Sequence, residues 1–300
     1  MADIRSLTDH IFLAVLDQNR DGFREFLSSW VIRDGNTAAI VDPGPVLTIP
    51  ILVKALAELG INHIQTILLT HIHLDHAGGA GRLLHHFPDA AVVCHPEGIP
   101  HLAKPERLWK ASLRTLGDVA EQYGRPDPVP EARMSFPDRI ALGPFAIECL
   151  QAPGHAPHHA AYLMASVLFS GDAAGVSYPL QEGIHLRLAA GPGFNCDDYT
   201  RSLDTLVTLQ PPHLCFGHFG WTERPGDYFD VHAAQVRLWI SIIREHLGWE
   251  KVPDDHIFEE LLAKDPGLTN FALLPGDIRK REKHFIFNSI RGLTHCMAES

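Results

Sequence analysis

The chain has 300 residues, 45% hydrophobic and 20% charged, a balance that excludes disorder, collagen and coiled coil and predicts one large globular domain or two average ones. Thirty-six acidic against 25 basic side chains give a net charge of −11, which lacks the basic footprint of phosphate binding, so no nucleic-acid partner is expected. No apolar run approaches the about 20 residues that cross a bilayer, and the run 11–16 lacks a small-residue cleavage site, so the expected location is cytoplasmic, with no membrane contact. Five cysteines without a CxxC pair argue for reduced thiols rather than a disulfide framework or a zinc ribbon. Histidine is the anomaly: 20 residues, well above ordinary usage.

Residues 38–41 read as a strand ending in the turn Asp42-Pro43-Gly44, and 50–59 as a helix stopped at Gly60. A strand over 65–70 follows. Leu83, Leu84 and Phe87 suit a short helix after glycines 78, 79 and 81, and 91–94 is again a strand, ended by His95-Pro96. This alternation is α/β. Residues 97–134 read as a helical insertion, with Trp109, Leu113, Leu116, Ala120 and Tyr123 on one apolar face before the prolines 126, 128 and 130. Strands at 145–150, 161–164, 167–170 and 214–216, with a helix at 199–209, suit a second sheet. Beyond Trp221 the pattern is helical: Asp227 caps a helix with Val236, Trp239 or Ile240, Ile243 and Leu247 on its face and Gly248 as its stop. Two shorter helical patterns follow at 254–264 and 277–290.

The run Thr70-His71-Ile72-His73-Leu74-Asp75-His76-Ala77-Gly78-Gly79 follows a strand and precedes a helix. His71 and His73 point to one side of an extended segment, and the turn brings Asp75 and His76 round to an adjacent point. Imidazole and carboxylate suit zinc, iron or manganese. Three more candidates sit at strand ends beside glycine: His155, Asp172 and His218.

On these residues the sequence resembles the metallo-β-lactamase superfamily of metallohydrolases, over about residues 8–222, with all seven metal positions of that pattern present in order. The resemblance implies a four-layer αββα sandwich over 1–225, with two mixed sheets face to face, helices outside and the metals at one edge; a C-terminal helical region, 226–300, would pack on it. It assigns His71, His73 and His155 to one divalent metal ion, Asp75, His76 and His218 to a second, and Asp172 to a bridge between them. Zinc is the expected metal, with iron or manganese as alternatives. Such a pair deprotonates a bridging water near neutral pH, and the hydroxide is the nucleophile. Asp75 would orient it and shuttle a proton. Asp42 resembles the acidic residue that many members place behind the ligands, accepting from an imidazole; an ordinary Asp-Pro-Gly turn is the other reading.

For the substrate pocket the candidates are Tyr178, which could reach a substrate oxygen or pack at the cleft rim, Trp109, which could line a lid or cover a satellite core, and His158. His158 and His159 are read as lying behind the metal ligands or facing solvent, His85 and His86 as surface, and Cys149 and Cys215 as buried thiols. The expected activity is hydrolysis of a small-molecule ester, thioester or lactone. The histidine run and the C-terminal helices are similar to glyoxalase II, but residues 173–179 read Ala-Ala-Gly-Val-Ser-Tyr-Pro where that family has a Gly-Cys-Gly segment and a basic residue. Residues 170–174 are similar to quorum-quenching lactonases, which carry a tyrosine where this chain has Gly175. A mononuclear-iron persulfide dioxygenase shares the motif and is the alternative; a phosphodiesterase or nuclease, or a noncatalytic metal-binding scaffold, ranks below it. Whether the C-terminal helices cover the cleft or form a homodimer surface stays open.

Overall fold

Runs of β-branched and aromatic residues separated by short polar turns build the first strands: β1 (Ile4–Ser6), β2 (Ile11–Val15), β3 (Ser28–Asp34) and β4 (Thr37–Val41). The computed structural model describes residues 1–247 and 254–298. Its chain falls into two units: Met1–Gln18, Arg24–Gln151 and Ala160–Ala165 form the first, Asn19–Phe23, Ala152–His159 and Ser166–Ser300 the second.

In the first unit, β5 (His63–Leu68), β6 (Ala91–Val93) and β7 (Met134–Ser135) complete a seven-stranded sheet in the order β1-β2-β3-β4-β5-β6-β7. Neighbours from β1 to β4 are antiparallel, and those from β4 to β7 are parallel. Parallel neighbours need crossovers, which helices supply. α1 (Ile49–Glu58) joins β4 to β5, α2 (Leu74–Ala77) and α3 (Ala80–His86) join β5 to β6, and α4 (Ile99–Ala103), α5 (Glu106–Leu116) and α6 (Asp118–Tyr123) join β6 to β7. Pro50 opens α1, where a proline's fixed φ suits the first turn. β8 (Arg139–Leu142), β9 (Phe145–Gln151) and β10 (Ala160–Met164) form an antiparallel meander. Buried Tyr162 on β10 donates its hydroxyl to the Leu69 carbonyl at 2.6 Å, anchoring the meander at the end of β5. The pairing of Val41 with Leu68 sets the carboxyl ends of β4 and β5 side by side, so Asp42 and Thr70 leave the sheet as neighbours.

The helical insertion departs from the single apolar face read from its periodicity. Gly117, at φ +56°, breaks it into α5 and α6, because a left-handed residue ends a helix. Ala120 and Tyr123 on α6 are buried, whereas no residue of α5 is, so Trp109, Leu113 and Leu116 remain half-buried.

In the second unit the order is β11 (Val167–Phe169), β12 (Val176–Tyr178), β13 (His185–Arg187), α7 (Cys196–Thr208), β14 (His213–Cys215), β15 (Trp221–Thr222), α8 (Pro225–His246), α9 (Asp254–Lys264) and α10 (Gly276–Ala298). β14 pairs in parallel with β11 and antiparallel with β15; β12 and β13 pair with each other. Asn195 caps α7, its Oδ1 accepting from the Asp198 N–H at 2.9 Å. The cap read at Asp227 belongs instead to Arg224: α8 begins at Pro225, and Asp227 lies in the first turn, where the helix dipole favours an acid. The expected stop at Gly248 lies outside the described residues. Trp239, Ile243, Phe258, Leu261, Ile286 and Ile290 form the core of the C-terminal helices. Among them Glu282 is buried between two guanidiniums, 2.7 Å from Arg187 Nε and 2.9 Å from Arg281 Nε. Burial pushes its carboxyl up; Arg187, Arg281 and His185 outweigh that and hold it well below the usual range. Among the described residues no helix is long and apolar enough to cross a membrane.

Candidate functional site

The first unit carries four of the seven metal-ligand candidates on one strand-to-helix turn. His73 is extended (φ −60°, ψ 151°) as it enters α2, so His71 and His73 lie on the loop between β5 and α2, and Asp75 and His76 in the first helical turn. His71 and His76 are each 1% exposed, and their ring centroids are 4.2 Å apart; the His73 ring stands edge-on to His71 at 4.6 Å. Donor atoms of His71 approach those of His73 and of His76 within 4.8 Å, as do those of Asp75 and His76.

Asp42 lies at the base of this turn and is itself buried, in a left-handed conformation (φ +50°) that Asp and Asn tolerate better than other side chains. Its Oδ1 accepts from the Thr70 N–H at 2.8 Å. Its Oδ2 accepts from the Thr70 hydroxyl at 2.6 Å and from His76 Nδ1 at 2.9 Å. The one Thr70 hydroxyl proton is thus committed to Asp42, so Thr70 Oγ1, 3.0 Å from His71 Nδ1, is the acceptor there. Both rings therefore carry their proton on Nδ1, and Nε2 keeps its lone pair, the form in which an imidazole binds a metal.

The second unit carries the other three candidates. Asp172 sits in a 3-10 turn, Gly171–Ala174, at the end of β11. Its Oδ2 is 3.6 Å from His155 Nε2 and 3.5 Å from His218 Nε2. These spacings exceed the about 2.7–3.2 Å of a good hydrogen bond. They match the separation of about 3.4 Å between two donors sharing a tetrahedral cation at bonds of about 2.0–2.1 Å. His155 Nδ1 donates to the Ala189 carbonyl at 2.8 Å, which again leaves Nε2 as the lone-pair nitrogen. Two glycines make the approach possible. A Cβ on Gly217 would fall 2.8 Å from Gly171 Cα and 3.0 Å from Asp172 Oδ1, and one on Gly154, at φ +130°, would collide with the backbone of Tyr199.

Asp172 is also gripped through its backbone. Its N–H donates to His159 Nε2 at 3.0 Å, and its carbonyl accepts from the Tyr199 hydroxyl at 2.9 Å. His159 is fully buried, so of the two roles read for it the solvent-facing one is wrong. Tyr199, read from the sequence only as the start of a helix, meets His232 Nε2 at 2.7 Å on its other side. His232 Nδ1 lies 3.0 Å from Gln235 Oε1, and Gln235 Nε2 donates to Asp265 Oδ2 at 2.8 Å, an oxygen that the Trp239 indole N–H also reaches. Burial drives His232 down to about 4, against the opposing bond from Gln235, so its ring is neutral near pH 7.

His158 is half-buried in the turn that carries His155. Tyr178 on β12 is 6% exposed, with the Arg281 guanidinium 5.7 Å from its ring centroid. Trp109 is half-buried on α5, and His85 and His86 are exposed. Cys149 and Cys215 are buried, and burial pushes the Cys149 thiol up to about 11.

Comparison with known proteins bears on the same segment. The family model of the metallo-beta-lactamase superfamily matches residues 23–218. A metallo-beta-lactamase fold-containing protein of Sulfurisphaera tokodaii is 28% identical over 167 residues, 53% of this chain and 62% of that protein. A hydroxyacylglutathione hydrolase of Aeromonas hydrophila is 33% identical over 146 residues, 48% of this chain and 44% of that enzyme. The match thus spans less than two thirds of either relative. The crystal structure of an archaeal metallo-beta-lactamase superfamily protein from Sulfolobus tokodaii aligns with a TM-score of 0.68 at 20% identity, covering 94% of this chain and 98% of that one. The metallo-β-lactamase fold expected from the sequence is supported by the family model and by this structural match. The family model covers well over half of the chain, histidine run included, and on that ground the protein belongs to the metallo-β-lactamase superfamily.

Proposed function

We propose that the chain is a metal-dependent hydrolase of a small-molecule thioester, ester or lactone. Its two divalent ions, zinc by preference, would be held by His71, His73 and His155, by Asp75, His76 and His218, and by Asp172 between them. The observation that carries this reading is Asp172 Oδ2, flanked at 3.6 and 3.5 Å by the Nε2 atoms of two buried histidines at donor-to-donor rather than hydrogen-bond spacing. The donor set fits the metal. Five imidazoles and two carboxylates suit zinc, and His71, His76 and His155 each have the Nδ1 contact that directs Nε2 outward.

When bound, such ions lower the pKa of water and polarise a carbonyl oxygen. The protein's own part is to aim and hold. Asp42 fixes His76 directly and His71 through Thr70. His159 and Tyr199 fix the Asp172 peptide, so that its carboxylate does not turn away as charge builds on the substrate. Asp75, half-buried in the first turn of α2, would take a proton at a carboxylate oxygen and return it to the leaving group. Thioesters lead the substrate classes because the Aeromonas relative is a hydroxyacylglutathione hydrolase, and a hydroxyacylglutathione is a thioester.

The test is elemental analysis of protein purified without chelator, followed by a panel of thioesters, lactones, phosphodiesters and persulfides. Two divalent ions per chain and thioester or ester turnover that disappears in Asp75→Asn are expected. One iron per chain with persulfide-dependent oxygen uptake, or no hydrolysis across the panel, overturns the proposal.

A further inference from the structure

We propose a second, separate zinc site where the end of α8 meets α9, built from His246, His256 and Glu260. It shares no residue with the seven candidates above and does not depend on the hydrolase reading. Donor atoms of the three side chains lie within 4.8 Å of one another. His256 and Glu260 are four residues apart on α9 and so share one helix face. His246, the last residue of α8, faces them: its Nε2 is 3.0 Å from Glu260 Oε2, and its ring centroid is 5.5 Å from that of His256, at 81°.

An ion pair alone accounts for His246 and for Lys264, which holds the other Glu260 oxygen at 2.6 Å. It does not account for His256. A second imidazole beside the first adds nothing to the pair when neutral and repels it when charged, whereas two neutral imidazoles and a carboxylate converging on one point form a common zinc donor set. A tetrahedral zinc brings donors to about 3.4 Å from each other. The His246–Glu260 contact, at 3.0 Å, is a hydrogen bond that would open by a few tenths of an ångström, and His256, which is exposed, would turn its side chain toward the pair. On binding, the metal takes the place of the proton between His246 Nε2 and Glu260 Oε2; the neutral ring moves that proton to Nδ1, and the site's fourth position is left to water. Lys264 stays on the outer oxygen and orients the carboxylate.

The probe is Zn²⁺ itself. The chain, stripped of metal with a chelator and exchanged into chelator-free buffer, is titrated calorimetrically alongside His256→Ala, an exposed position whose truncation leaves the core intact. The wild type is expected to take up one more equivalent than the variant, and added zinc is expected to raise its Tm more, because the ion ties α8 to α9. Hydrolytic turnover should be equal in the two proteins, which separates this site from the other centre. Equal stoichiometry in wild type and His256→Ala, or an extra equivalent that persists in Glu260→Gln, overturns the assignment.

Discussion

Asp42→Asn is the most informative single substitution, because it keeps the shape and the left-handed backbone while replacing one charged acceptor oxygen with a neutral donor. Asp42 receives three donors: the Thr70 N–H on Oδ1, and the Thr70 hydroxyl and His76 Nδ1 on Oδ2. An asparagine offers one oxygen. If its amide nitrogen takes the Oδ1 position, the buried Thr70 N–H faces another donor, and the lost bond costs about 1–3 kcal/mol of stability. If it takes the Oδ2 position, His76 keeps a partner only by moving its proton from Nδ1 to Nε2, the nitrogen a metal needs, and metal affinity falls by about 10–100-fold. Urea unfolding of the metal-free protein reads the first outcome and competition with a chromophoric chelator reads the second. A variant that matches the wild type within about 0.5 kcal/mol, with unchanged zinc affinity, would refute the role given to Asp42.

Tyr199→Phe removes the hydroxyl between the Asp172 carbonyl and His232, and should cost about 1–3 kcal/mol in denaturant unfolding with little change in secondary structure by circular dichroism. His232 titrates near 4 in the fold against about 6.5 in the unfolded chain, so between those values only the unfolded state takes up its proton. Stability should therefore fall by about 3 kcal/mol as pH drops through that window, and unfolding curves of His232→Gln should lack this component. Glu282→Gln strips the counter-charge from two buried guanidiniums and should cost about 3–5 kcal/mol, visible as a loss of several degrees in Tm.

The seven candidates were legible because each announces itself locally. His71, His73, Asp75 and His76 fall within six residues at a strand-to-helix turn, and His155, Asp172 and His218 each follow a glycine at a turn. Asp42 was legible as a strand-end acid, but not its hold on Thr70, since nothing in the run 70–79 shows which side chain lies behind it. The support of Asp172 was not legible at all. Tyr199 and His232 lie 27 and 60 positions beyond it, one on α7 and the other on α8, where each occupies an apolar face and reads as ordinary core. β12 and β13 escaped for a different reason: Ser177 and the flanking His185 and Arg187 interrupt their apolar residues, whereas the equally short β6 and β11 are continuous apolar runs. The division of α5 from α6 turned on Gly117, whose left-handed φ outweighed an otherwise continuous apolar period.

The C-terminal helices bear on the site through chemistry rather than bulk. The buried side chains that line up behind Asp172 come from progressively later elements: Tyr199 from α7, His232, Gln235 and Trp239 from α8, and Asp265 from the turn after α9. An apolar filling of the same volume would be at least as stable, because every buried polar atom carries a desolvation cost. A hydrogen-bonded chain adds direction: it fixes where the Asp172 peptide lies, and a carboxylate expected to serve two cations tolerates little drift. Gln235 shows how the chain is closed. Its Oε1 faces His232 Nδ1 while its Nε2 serves both the Leu186 carbonyl and Asp265, so a flip would set Oε1 against two acceptors. That fixes the proton of the neutral His232 on Nδ1 and leaves Nε2 as an acceptor, which competes with the Asp172 carbonyl for the single Tyr199 proton. The C-terminal helices thus set the orientation of the residue on which the metal reading turns.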